Sequence, residues 1–80
     1  NEIELITEGI NVLGNSKYKY ISLIPLTTNV TGITLEGFKY SLDNATLEIG
    51  HSIGVSNEMV SDKAKVIIKT GILIMIKSRD

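Results

Sequence analysis

Lys63-Ala64-Lys65-Val66-Ile67-Ile68-Lys69-Thr70-Gly71-Ile72-Leu73-Ile74-Met75-Ile76-Lys77 is the stretch that decides the fold. Read as one strand it would be about 50 Å long at ~3.3 Å per residue, too long for so small a domain. Thr70-Gly71 offers a break, so the reading is a hairpin, Lys63–Lys69 turning back as Ile72–Lys77. In the first arm Lys63, Lys65 and Lys69 share one face, while Ala64, Val66, Ile68 and Thr70 share the other. The second arm, Ile72, Leu73, Ile74, Met75 and Ile76, is apolar on both faces. Such a strand belongs in a sandwich centre or against another subunit, so these five residues are the expected oligomer interface.

Working outward, the pattern stays strand-like. Ile3 and Leu5, then Ile10 and Val12, alternate with polar residues on either side of Glu8-Gly9. Gly14-Asn15-Ser16 reads as a turn, and a longer strand follows from about Lys17 to Leu26, with Pro25 marking an edge or an end. Gly32 opens a strand Ile33–Leu42, Asp43-Asn44 is a turn signal, and Thr46–Ile49 is a further short strand. Gly50 and Gly54 flank a bent segment around His51, and Ser56–Asp62 holds the one plausible helical turn. The expected fold is all-β and one domain over residues 1–80. It is either a small antiparallel β-sandwich or a sheet completed by neighbouring subunits of a homo-oligomer.

Composition narrows the function classes. The chain has 80 residues, no Cys, one His and a net charge of −1. Disulfides and thiolate metal sites are therefore excluded. Its longest apolar run is Ile72–Ile76, far short of the ~20 residues of a membrane helix. A cytoplasmic protein is expected. The start at Asn1, without an initiator Met, reads as trimmed, tagged or proteolysed. Ile and Asn richness suggests an AT-rich coding sequence. Two sequons, at Asn29 and Asn44, are weak evidence, because about one such triplet is expected by chance.

Catalysis finds little support. His51 is the only imidazole, and its neighbour Ser52 would point to the opposite strand face. Glu2 and Glu4 fit a solvated strand face, and Asp43, Asn44 and Asp62 lack the spacing of a calcium loop. No catalytic residue, metal or cofactor is expected, and the chain is read as not an enzyme. The aromatic residues are more suggestive. Tyr18 and Tyr20 form one i, i+2 pair and Phe38 and Tyr40 another, each interleaved with lysine. Aromatic platforms beside lysines hold single-stranded nucleic acid, so Tyr18, Tyr20, Phe38 and Tyr40 with Lys63, Lys65 and Lys69 are the candidate nucleic-acid-binding set. The competing reading makes the aromatic residues cross-strand pairs of the core and the lysines a solvated face.

The segment Ile6-Thr7-Glu8-Gly9-Ile10-Asn11-Val12-Leu13-Gly14 resembles the EDGVNVIG strand of the trp RNA-binding attenuation protein (TRAP) family. Val66–Ile76 resembles that family's IKVRGEALIQT strands, and Leu42-Asp43 is similar in placement. The resemblance covers about twenty residues. It implies a ring of subunits joined by extended sheets that binds RNA around its rim. The family's RNA-contacting Lys-x-Arg pair falls on Ile67-x-Lys69, and its Glu-Lys pair on Tyr40-Ser41. Its tryptophan-closing loop has no counterpart in Asn15–Tyr20, so tryptophan binding is not implied. The expected function is thus a non-catalytic, oligomeric, TRAP-like module that binds single-stranded RNA. The alternative is a structural or assembly protein, such as a phage or surface subunit, with no nucleic-acid role. Expected partners are copies of itself and RNA, with no membrane.

Overall fold

Alternation at period two sorts each strand into an inward and an outward row, and the inward rows of this chain form one core. The computed structural model describes residues 2–14, 18–49 and 55–79. His51, Ser52, Gly50, Gly54 and Lys17, singled out above, lie outside the described residues. The strands are β1 (Glu2–Ile6), β2 (Gly9–Leu13), β3 (Tyr20–Pro25), β4 (Asn29–Glu36), β5 (Leu42–Glu48), β6 (Val55–Glu58), β7 (Ala64–Ile68) and β8 (Leu73–Ser78). They form two four-stranded sheets, β1-β8-β3-β6 and β2-β7-β4-β5, antiparallel throughout. The expected all-β antiparallel sandwich is the observed fold. No helix among the described residues is long and apolar enough to cross a membrane.

The Lys63–Lys77 hairpin is corrected by this topology. β7 and β8 lie in different sheets, so the chain turns a corner at Thr70-Gly71 and does not fold back on itself. Every consecutive pair of strands except β4–β5 changes sheet, and the three shortest crossings are β1 to β2 at Thr7–Glu8, β3 to β4 at Leu26–Thr28, and β7 to β8 at Lys69–Ile72. The second and third crossings are bonded to each other. Leu26 N–H donates to Ile72 O at 2.9 Å, Ile72 N–H to Thr27 Oγ1 at 3.1 Å, and Thr31 N–H to Thr70 O at 3.0 Å. Gly71 sits in this knot with φ +96°, a region that disfavours any side chain.

The inward row of the apolar strand is buried within one chain. Leu73 and Met75 point inward and are fully buried with Leu23, Val30, Ile33, Leu35 and Val66. Ile74 and Ile76 point outward, opposite Leu5 and Ile3 of β1, which stay 60% and 69% exposed. The lysine arm divides as read: Ala64, Val66 and Ile68 are buried, and Lys65 is exposed. β1 runs contrary to habit, with Glu2 and Glu4 on the row of buried Ile6. There Lys77 meets Glu4 at 2.9 Å and Glu2 at 4.0 Å, closing the end of the core with charge.

The strand expected over Ile33–Leu42 instead begins at Asn29 and stops at Glu36, and two further expectations change. Asp43-Asn44 is no turn: Asn44 adopts φ 53° inside β5, and its N–H is held by Thr34 Oγ1 at 3.2 Å beside a register shift. Ser56–Asp62 is no helical turn either, because Ser56, Asn57 and Glu58 belong to β6.

Candidate functional site: an aromatic cleft at the end of one sheet

β6 pairs with β3 along one edge, in the register Tyr20↔Glu58 and Ser22↔Ser56. On its other side runs the loop between β4 and β5. Gly37, at φ +84°, turns that loop so tightly that a side chain there would strike Lys63 O. Phe38 then enters the core and bridges to Met59, while Tyr40 turns outward and is 57% exposed. Lys39 N–H donates to Glu58 O at 2.8 Å and Val60 N–H to Gly37 O at 3.0 Å, which docks the loop on β6.

The result is a cleft of about 360 Å³ over the outer face of β6. Tyr20 and Tyr40 form its walls, Ser56, Asn57 and Glu58 of β6 lie between them, and Ile21, Ser22 and Ser78 line it from β3 and β8. That volume falls within the range of roughly 300–1,000 Å³ occupied by small-molecule sites. Cations already attend its aromatic walls. Lys19 Nζ lies 5.8 Å from the Tyr20 ring centroid and Lys39 Nζ 5.5 Å from that of Tyr40. Lys19 also reaches Glu58 Oε2 at 3.8 Å. A carboxylate that shares a cleft with two tyrosines and several hydroxyls suits an organic cation that carries hydrogen-bonding groups. Among the described residues no group of three or more His, Cys, Asp or Glu could hold a metal ion.

The structure divides the candidate nucleic-acid set. Tyr20 and Tyr40 meet at the cleft, and Tyr18, half-buried, precedes β3. Phe38 is buried in the core and offers no ring face for stacking. Lys65 projects from the outer face of the opposite sheet, with Lys63 and Lys69 exposed at the two ends of β7. No single platform of lysines and rings forms. Of the expected interface residues, Leu73 and Met75 are covered by the chain's own core, and Ile72, Ile74 and Ile76 are half-buried. Sequence reasoning passed over Ser22, Ser56, Asn57, Glu58 and Ser78. The signal was the alternation in Ser56-Asn57-Glu58, which a short strand beside a glycine-rich segment can carry.

The fold and the cleft define a class: a small antiparallel β-sandwich with an aromatic-walled, acid-lined cleft at one end. The chain belongs to the family described as "Thiamin pyrophosphokinase, vitamin B1 binding domain", whose model matches residues 7–73. It is 35% identical over 81 residues to the thiamine pyrophosphokinase of Bacillus subtilis (strain 168), a match that takes in all of this chain and 38% of that protein. The crystal structure of thiamin pyrophosphokinase from Geobacillus thermodenitrificans superimposes with a TM-score of 0.93 at 33% identity, over 98% of this chain and 37% of that one. That of the Bacillus subtilis enzyme gives 0.88 at 34% identity, over 98% and 37%. The chain therefore spans little more than a third of the length of these relatives.

These matches overturn the TRAP resemblance, which rested on about twenty residues of apolar pattern and glycine, whereas the family match runs almost end to end. They also overturn the RNA-binding module, the structural-subunit alternative and the reading as a non-enzyme, since the relatives are thiamine pyrophosphokinases, which are enzymes.

Proposed function

We propose that this domain holds thiamin in the cleft between Tyr20 and Tyr40, as the vitamin-binding part of a thiamin pyrophosphokinase. The observation that carries the reading is that Glu58 lines the same cleft as two tyrosines, each with a lysine ammonium within 6 Å of its ring centroid. Thiamin brings a permanent thiazolium charge, an aminopyrimidine ring and a primary hydroxyl. The cation is matched by Glu58 and a tyrosine face, an interaction of about 0.5–2 kcal/mol depending on how fully water is expelled. Ser22, Ser56 and Ser78 supply hydroxyls that both donate and accept, which suits the pyrimidine nitrogens and amino group.

A pyrophosphokinase moves a pyrophosphoryl group onto its acceptor's hydroxyl. The domain's share of that reaction is to fix the acceptor so that the hydroxyl faces the donor, a matter of orientation and exclusion of water. A cytoplasmic location, expected from the sequence, is part of the same proposal. The test is calorimetric titration of the intact protein with thiamin and with the neutral thiazole alcohol that lacks the pyrimidine and the charge. Saturable binding of thiamin, at least tenfold tighter than the fragment, is expected from adding a charge contact worth about 1.4 kcal/mol. Equal binding of the two, or no saturation by thiamin, refutes it.

A further inference from the structure

Tyr40 is an exposed wall of the cleft carried on a loop, yet its backbone N–H and C=O are both held by one buried side chain. Asn57 is 3% exposed, stands on the inward row of β6 opposite buried Ile21, and borders the cleft from beneath. Its Oδ1 accepts from Tyr40 N–H at 2.9 Å and from Glu58 N–H at 3.0 Å. Its Nδ2 donates to Tyr40 O at 2.6 Å. The carboxamide thus does for Tyr40 what a neighbouring strand would do, pairing its N–H and its C=O together. Buried polar groups bonded this completely fix geometry, because any displacement leaves a donor or acceptor dry and unpaired.

We infer that Asn57 is a positioning residue for the cleft: it sets ligand affinity by fixing Tyr40 against Glu58, without its carboxamide being the group that binds. The inference rests on the thiamin reading above. Only asparagine serves among residues of this size. Aspartate keeps the two acceptors but has no donor for Tyr40 O, and it would set a buried charge against that carbonyl. Leucine would leave two N–H groups and a C=O unpaired.

The experiment is a double-mutant cycle in the intact protein, with thiamin as the probe: Asn57→Ala, Tyr40→Ala and the pair. Asn57→Ala should raise the thiamin Kd about tenfold, as expected for losing one or two net hydrogen bonds' worth of preorganisation. If Asn57 acts through Tyr40, the double variant binds within about twofold of Tyr40→Ala alone, because the wall it positions is already gone. A purely structural asparagine gives effects that multiply, and that result overturns the role. Amide hydrogen exchange on the unaltered protein needs no variant: Tyr40 N–H should be protected like a strand amide, and exchange at the rate of an open loop overturns the inference even where Asn57→Ala fails to fold. Thiamin failing to bind the unaltered protein sinks the functional reading and this inference together. Normal binding with a multiplying cycle sinks the inference alone.

Discussion

Replacing Gly71 with alanine tests whether the strand crossing at the corner of the sandwich is as tight as its geometry indicates. Two effects add at this position. The backbone sits at φ +96°, where a residue with a Cβ is strained by roughly 1–2 kcal/mol. The new methyl would also lie 2.5 Å from Asn29 O, 2.8 Å from Thr27 Oγ1 and 2.9 Å from Val30 Cα. Two of these three atoms are backbone in the paired crossing, so relief requires moving β4 against β8, an overpacking cost of about 1–3 kcal/mol. The expected loss is therefore about 2–5 kcal/mol, against a total stability of roughly 4–12 kcal/mol for a domain of this length. Gly9→Ala supplies the control, because Gly9 has φ +112° with nothing within 4 Å, leaving only the backbone term of about 1–2 kcal/mol. Gly14→Ala supplies the baseline: the space around it is open and its φ lies outside the left-handed range, so alanine there is neutral or stabilising by about 0.4–1 kcal/mol. Urea unfolding followed by circular dichroism measures all three. A central loss of about 3 kcal/mol corresponds to a drop of roughly 12–24 °C in Tm. If Gly71→Ala costs no more than Gly9→Ala, the crowding argument is wrong.

The other predictions concern the cleft and the core. Glu58→Gln should weaken thiamin binding about three- to tenfold while changing stability by less than about 1 kcal/mol, since its partner Lys19 is mostly exposed and 3.8 Å away; calorimetry and thermal melts read the two effects separately. Tyr20→Leu should preserve the fold, because the side chain faces outward, and lower affinity for cationic thiamin about three- to thirtyfold through loss of the ring face. Leu23→Ala, at a fully buried position, should cost about 2–5 kcal/mol in urea unfolding. Leu5→Thr, 60% exposed on the outer face, should stay within about 0.5 kcal/mol of the parent.

The alternation in Ala64–Ile68 could be read from residues alone because each side chain there obeys the rule of one wet and one dry face. Gly71 could not. A Thr-Gly step between two apolar arms looks the same whether the chain folds back in one sheet or crosses to another, and the choice is made by Leu26 and Thr27, some forty-five positions away. The surroundings of the segment Ile72–Ile76 were hidden for a related reason. Its outward row lies against Ile3 and Leu5, an arrangement fixed by the β1–β8 register and by nothing local. Within the site, the tyrosine–lysine pairs announced an aromatic surface that meets cations, and Tyr20 and Tyr40 do line it. Glu58 and Asn57 stayed hidden in a polar stretch whose inward residue is itself polar. Hydrophobic periodicity has no means of marking an asparagine that replaces a strand.

The pairing of β1 with β8 and of β2 with β7 has a consequence for how the chain reaches this form. Among the described strands only β4 and β5 are both consecutive and hydrogen-bonded. Every other ladder joins segments far apart, up to Glu2 with Lys77. The chain must close long loops before those contacts repay the lost entropy, which sets folding in the millisecond-to-second range typical of non-local β proteins. The β4–β5 ribbon is the natural first structure, and the crossings at Thr28 and Gly71 follow once β7 has docked on β4. Within this stretch β1 is made well before β8, so Ile3 and Leu5 have no ladder partner until residues 73–77 have followed.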